Sequence, residues 1–417
     1  MKLWVLGLAL LCAATARAGY LAPGAASAAG AKNIVLIYDG GQYHRNWMTN
    51  DFVPLMSYVN RQGRITGRMY DTLLVLPLWA RSGRGYTAGF GTGPSNKEDW
   101  LDYLDNTLFG NVLHLNKMEA AAGVAGYWLS ATPLTWKVIL TIPYPDPAQH
   151  AWGSLTDGGP VLDFANLNDR ISAVRWYVDE LTRRWQARGY QHIQWVGLYW
   201  LEEYIHAVDP SLIPWVAAMA HQAGCKLFWI PYYNATGWSQ WKTYGFDAAI
   251  YQPNYFFSTA TPFSRLHSAA SGAKTNGLGV ELELDDRAIT DPAFRSRYYD
   301  YLNAGAVEGF QTGAVTAWYM GGDTLLKCQA SADATVRAIY DDTYKFIFAN
   351  GVHGDATADR IVDFADVRAI LKAAAGLQVA DTQRFSASTD LAPNNRADVA
   401  DAVKLMRYLS GLQPTLP

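Results

Sequence analysis

The sequence predicts an α/β protein: a (β/α)8 barrel followed by a small all-α module built from a duplicated unit. Three observations carry this. Between Asn33 and about Asn350, eight short apolar runs alternate with amphipathic helical stretches, the pattern that parallel strands joined by crossover helices produce. The first run ends in Tyr38-Asp39-Gly40-Gly41, which is not a dinucleotide-binding fingerprint and argues against a doubly wound open sheet. Beyond the barrel, Asp363-Phe364-Ala365-Asp366 returns 35 residues later as Asp398-Val399-Ala400-Asp401. Repeats of this kind mark a supersecondary unit that has been copied.

The chain opens with an export signal over 1–18. Lys2 supplies the positive start, Leu3 to Ala14 the apolar run, and Ala16-Arg17-Ala18 a small-x-small cleavage site before Gly19. This implies a secreted, extracellular protein. The apolar run is too short to span a bilayer, and no later stretch is long enough either. Residues 19–32 are rich in Ala and Gly and read as a linker. Removing the signal also removes Cys12 and leaves Cys225 and Cys328. These do not make a disulfide framework, and in a barrel they fall at opposite ends.

The 417 residues carry a formal net charge of -3, which gives no electrostatic reason for nucleic acid or an anionic membrane as a partner. Charged residues are only 17%, while 16 Trp and 25 Tyr form a heavy aromatic load. Core packing accounts for many of these rings. The rest fall in loops, where stacking on sugars explains them more economically.

Within the barrel, 33–349, strands are expected over 34–38, 73–78, 137–142, 193–200, 226–230, 248–251, 278–284 and 314–319. The clearest helices are expected over 169–188, 211–223 and 292–305. Barrel sites form where strands end at the C-terminal face, so those ends hold the candidates. Strand one ends at Asp39. Strand four runs Gly197-Leu198-Tyr199-Trp200-Leu201-Glu202-Glu203, strand seven Gly279-Val280-Glu281-Leu282-Glu283-Leu284-Asp285, and strand eight ends in Trp318-Tyr319.

Side chains alternate along a strand. With Val280, Leu282 and Leu284 facing the helices, Glu281 and Glu283 face the axis, roughly 6.6 Å apart and with Glu283 nearer the mouth. In strand four, Tyr199, Leu201 and Glu203 point inward and Glu202 aside. A lone inward Glu is more often part of a core network; several at opposed strand ends in an aromatic setting favour chemistry. Asp39, Tyr199, Trp200, Asn234 and Trp318 are the candidate substrate-binding residues. His44, His150, Tyr86, Trp152, Tyr255 and Trp238 lie in loops at the same face. No His-x-His pair points to a catalytic metal, and no Gly-x-Ser-x-Gly elbow to a serine hydrolase. Glu203-Tyr204-Ile205-His206 reads as an ordinary helix-face pair.

Inward carboxylates after strands four and seven resemble the large clan of retaining (β/α)8 glycoside hydrolases. The resemblance implies Glu203 as acid/base, with Glu202 as its alternative because the Asn usual before that acid is Glu202 here. It also implies Glu283 as nucleophile with Glu281 beside it, Trp318 as a sugar floor, a polysaccharide substrate and no cofactor for catalysis. Gly-x-Tyr-Trp-x-x-Glu ending at Glu203, and Gly-Val-Glu-Leu-Glu of strand seven, are also similar to a family of bacterial secreted proteins filed only as a domain of unknown function (family 4855). The alternative from another class is a non-catalytic carbohydrate-binding barrel.

The tail, 351–413, holds two twelve-residue loops with the spacing of a calcium site, whose oxygens fall at positions 1, 3, 5, 7, 9 and 12. These are Asp355, Thr357, Asp359, Ile361, Asp363 and Asp366 in the first copy. In the second they are Asp390, Ala392, Asn394, Arg396, Asp398 and Asp401, with Ala392 offering no side-chain oxygen. Asp at position 12 without a clear entering helix resembles the dockerin family. That implies structural calcium and docking to a cohesin-like protein through Phe364-Ala365 and Val399-Ala400, and hence tethering of the exported barrel.

Overall fold

The structure, a computed structural model, describes residues 19–40, 45–110, 114–130, 133–348, 356, 364–377, 391, 398–410 and 412. Eight parallel strands close into a barrel: β1 (Asn33–Asp39), β4 (Thr72–Pro77), β5 (Trp136–Ile142), β6 (Ile193–Trp200), β7 (Lys226–Trp229), β8 (Ala248–Tyr251), β9 (Gly279–Glu283) and β10 (Thr316–Tyr319). Around the ring each pairs with its sequence neighbour, and β10 closes on β1 through Val35 opposite Trp318. β6, β9 and β10 are thus the fourth, seventh and eighth barrel strands. All eight expected strands are present, each within two residues of its expected limits. Their continuous Val, Ile and Leu content fits strands covered on both faces; β4 is buried along its whole length.

Helices cover the outside. Leu167–Arg188 starts where the Asn166 side chain accepts from the Asn168 amide, and stops at Gly189 with φ 62°. A side chain at N-cap and a left-handed Gly at the end satisfy the orphan groups of a helix. Pro292–Glu308 repeats the scheme with Asp291, an initial Pro and Gly309. Among the described residues no helix is long and apolar enough to cross a membrane.

Two features depart from the sequence reading. An antiparallel hairpin, β2 (Ser57–Val59) with β3 (Ile65–Arg68), intervenes between the first two barrel strands. The 19–32 stretch is not a loose linker. Leu21 donates its amide to Leu278 and accepts from the Val315 amide, and Lys32 accepts from Thr316. Ala28 and Ala31 are fully buried. These contacts fall at strand starts, so the segment closes the barrel end opposite the mouth. Small residues make the close approach possible, which is why no apolar period announces it.

Cys225 and Cys328 are both free and buried. In the tail, helices Phe364–Ala374 and Val399–Leu409 have the same length of 11 residues and keep the 35-residue step. Val367 and Ile370 of one and Ala402 and Leu405 of the other form one buried cluster that also includes Leu391. The second helix is capped by Asp398, which accepts from the Ala400 amide, while the Asp398 amide donates to Asp401. Of the expected calcium ligands, Asp355, Thr357, Asp359, Ile361, Asp363, Asp390, Asn394 and Arg396 lie outside the described residues, as does the 1–18 signal.

Candidate active site

The mouth at the C-terminal ends of the strands has two lobes that share Tyr38, Tyr199 and Glu203. One, of about 210 Å³, is walled by Leu76, Thr87, Ala88, Phe90, Glu202 and Tyr232, among others. The second, of about 190 Å³, is completed by Leu36, Gln252, Asn254, Phe257, Glu281 and Tyr319. Alternation places these side chains: β1 turns Tyr38 inward, β6 Tyr199, β9 Glu281 and β10 Tyr319. Tyr319 meets Tyr38 and Phe257 edge-on, with centroids 5.6 Å apart in each pair. The result is a ring of aromatic edges around acidic groups.

Four glutamates lie at these strand ends, and each has a different environment. Glu203 stands between the lobes, exposed to the water of the mouth. The protein crowding around it raises its pKa, the Gln252 side chain pulls it back, and the Glu202 charge adds to the rise; contact with water limits that shift. Glu281 is only 3% exposed, and its Oε2 has no hydrogen-bond partner. Burial, then the charges of Glu283 and Glu203, hold its carboxyl well above the ordinary range.

Glu202 and Glu283 are occupied otherwise. Glu202 is turned toward the loop after β4, accepting from the Thr87 hydroxyl and from the Ala88 amide at 2.6 Å, with His206 Nε2 at 3.2 Å. Residues 201–206 form no helix, so the expected Glu203–His206 pairing gives way to a Glu202–His206 contact. Glu283, fully buried, accepts from the Asn254 amide at 2.8 Å, the Phe256 amide at 3.3 Å and the Tyr301 hydroxyl. Burial pushes its pKa up to about 7 against these bonds. Glu283 does not border either lobe, although it is nearer the strand end than Glu281; the loop after β8 folds over it.

Four other expected site residues sit outside the lobes. Trp318 is fully buried against Tyr70 and Phe346, donating to Thr316 Oγ1 at 2.8 Å. It therefore belongs to the layer between strand and helix and cannot floor a sugar site. Asp39 is fully buried behind β1, where Tyr103 and His114 each bind it at 2.9 Å. Trp200 packs edge-on against Tyr144. Asn234, in a left-handed turn at φ 61°, exchanges hydrogen bonds with the Tyr251 hydroxyl. Of the loop candidates, Tyr86 and Trp152 are core, His150 pairs with Asp163, Tyr255 bonds Asp300 and Trp238 stacks on Tyr251. His44 lies outside the described residues.

The residues missed include Tyr38, Tyr319, Gln252, Asn254 and Phe257 in the second lobe and Thr87, Ala88, Phe90 and Tyr232 in the first. Tyr38 and Tyr319 were within reach, because the alternation used for strand seven applies equally to strands one and eight. Asn254 signals itself only by its left-handed backbone, φ 47°. Among the described residues no group of three or more His, Cys, Asp and Glu converges in the manner of a metal site.

No curated protein matches the chain in sequence. Among solved structures, it is similar to a mutant tryptophan synthase α-subunit from Pyrococcus furiosus at 10% identity, covering 76% of this chain and 98% of that one, with a TM-score of 0.34. It is similar to an intracellular xylanase from Thermoanaerobacterium saccharolyticum at 12% identity, covering 69% and 85%, with a TM-score of 0.38. Both likenesses are too loose to bear on activity. The sequence profile of one family matches residues 33–345, most of the chain and the whole barrel ring, and the protein belongs to that family, described as Domain of unknown function (DUF4855).

Proposed function

We propose that this protein is an exported glycoside hydrolase acting on a polysaccharide or oligosaccharide, with Glu203 and Glu281 as its reacting carboxyls. The observation that carries the reading is their convergence, from the fourth and seventh barrel strands, on one lobe walled by Tyr38, Tyr199, Phe257 and Tyr319. Glycosidic cleavage needs a carboxylic acid to protonate the leaving oxygen and a carboxylate at the anomeric carbon. Environment divides the work. Glu281, dry and lacking a partner for Oε2, is the proton holder. Glu203, exposed in the mouth, is the carboxylate of the pair in this reading.

In the retaining form, a Glu203 oxygen bonds to the anomeric carbon as the glycosidic C–O bond breaks, and the Glu281 proton passes to the leaving oxygen. Water then attacks the same carbon, gives its proton to Glu281 and releases Glu203. This exchanges the roles that strand order alone suggests, because the more desolvated carboxyl sits on the seventh strand. The test is reducing-end release from xylan, mannan, arabinan and mixed-linkage β-glucan. Wild type is expected to release ends from at least one, and Glu203→Gln and Glu281→Gln to bind it without turnover. Retardation of the wild type in gels containing one of these glycans, with no ends released, would make the barrel a carbohydrate-binding module instead.

For the tail we propose two structural calcium loops and a protein partner. Asp366 and Asp401 are fully buried at equivalent helix positions, where oxygen donors of a hard cation fit. Equivalent apolar residues are exposed in both copies, Phe364 with Val399, Leu371 with Met406, and Leu377 with Leu412. That is the composition of a face meant for covering, which supports docking of a cohesin-like protein.

A further inference from the structure

Each strand end that supplies a carboxyl to the shared lobe carries a second glutamate with another task. Glu202 reaches 114 residues back along the chain to the Ala88 amide, with the Thr87 hydroxyl beside it. Thr87, Ala88 and Phe90 are the part of that loop that walls the first lobe. Phe90 is 40% exposed and packs on Trp79, and Ala88 is only partly buried, so the side chains at this tip are less enclosed than Tyr86 just before them. Glu283 gathers the Asn254 and Phe256 amides and the Tyr301 hydroxyl. Asn254 and Phe257 of that loop wall the second lobe. Tyr301 also accepts from the Tyr255 amide at 3.2 Å, so one carboxylate and one hydroxyl hold three consecutive loop amides. Each of these carboxyls accepts from two groups of one loop at once, which suits it to fixing that loop's course.

We infer that Glu202 and Glu283 are positioning residues, each fastening one mouth loop to the strand end beside it and so setting what its lobe accepts. This rests on the glycan-binding reading of the mouth. Neither glutamate is one of the two assigned to react, and Glu283 borders neither lobe. Glu202 governs the lobe bounded by Ala88 and Phe90, and Glu283 the lobe bounded by Asn254 and Phe257. The sequence pairs, Glu202-Glu203 and Glu281-x-Glu283, are then one reacting carboxyl and one loop fastener at each strand end.

The test uses the full chain with Glu202→Ala, Glu202→Gln, Thr87→Val and Tyr301→Phe, the last sparing the buried Glu283 itself. On whichever panel glycan the wild type cleaves, Glu202→Ala is expected to raise KM about tenfold with kcat within about threefold, and Thr87→Val to do so more weakly. Glu202→Gln, whose amide oxygen still accepts from Ala88, should restore most of the loss. Amide hydrogen exchange should quicken at 86–90 in the Glu202→Ala protein and at 254–257 in the Tyr301→Phe protein, each leaving the other loop unchanged. A collapse of kcat at constant KM, unchanged exchange at both loops, or equal loosening of the whole barrel would overturn the inference. If the wild type cleaves no panel glycan, the hydrolase reading fails alone: retardation of the same variants in gels containing each glycan replaces KM, and the exchange pattern still decides.

Discussion

The mouth and the layer directly behind it are one residue apart in sequence and differ in almost every property. Tyr38, Tyr199 and Tyr319 line the lobes; their neighbours Asp39, Trp200 and Trp318 are buried between strand and helix. Residue type predicts the opposite arrangement, since an Asp and two Trp at strand ends have the composition of a sugar site. What decides is the pleat, which gives each strand end one side chain to the mouth and the next to the packing layer. Glutamates obey the pleat only as far as their own hydrogen-bond partners allow. Glu281 follows it into the lobe, whereas Glu283, two residues on, is covered by the loop whose amides it binds.

The comparison breaks most readily at Trp318. Packed against Tyr70 and Phe346 with no exposure, it should cost about 3–5 kcal/mol of stability as Trp318→Ala, read from urea unfolding, while gel retardation by the bound glycan stays the same. Lost retardation with unchanged stability would return Trp318 to the mouth.

Next in size is the pH dependence that Glu283 imposes. Its folded pKa of about 7 lies above the ordinary 4.5. Between those values the folded chain holds a proton that the unfolded chain has released, so stability is full below about 4.5 and falls as pH rises through about 7. The loss is on the order of 3 kcal/mol. Glu283→Gln should flatten that slope when urea midpoints are compared at pH 5 and 8. An unchanged slope would mean that the slope belongs to Glu281 or to other groups.

The tail contrasts with the barrel on another scale, because its described core is a cluster of only five residues. With calcium at about a hundred times its Kd, binding would add about 2.7 kcal/mol. Chelation is therefore expected to speed proteolysis beyond residue 348 and to leave the barrel's unfolding transition in place. Equal cleavage with and without chelator would remove calcium from the account. The smallest effect belongs to the rim: Phe257→Ala, losing one aromatic edge at the second lobe, should weaken glycan binding by about 1 kcal/mol, measured as KM or retardation.

The barrel itself was legible because parallel strands buried on both faces leave unmistakable apolar runs; β6 and β8 fall at their expected limits. The hairpin β2–β3 was not, its strands being three and four residues long and following a helix without a break. That Glu203, Glu281 and Tyr199 face the mouth was readable from alternation alone. The turning of Glu202 and Glu283 was not, because their partners Ala88, Asn254 and Tyr301 lie far away in sequence and are brought in by the fold. Burial of Ala28 and Ala31 within 19–32 was hidden for a similar reason: they fit the barrel floor by being small, and smallness has no period.

The central claim is that one glutamate from each pair reacts and the other does not. Single Glu→Gln variants at 202, 203, 281 and 283, assayed for kcat on the same polysaccharide, test it most directly. The account predicts losses of at least about 10³-fold for Glu203→Gln and Glu281→Gln, and losses within about tenfold for Glu202→Gln and Glu283→Gln. Loss of turnover in Glu283→Gln or Glu202→Gln with full activity in Glu281→Gln would contradict it.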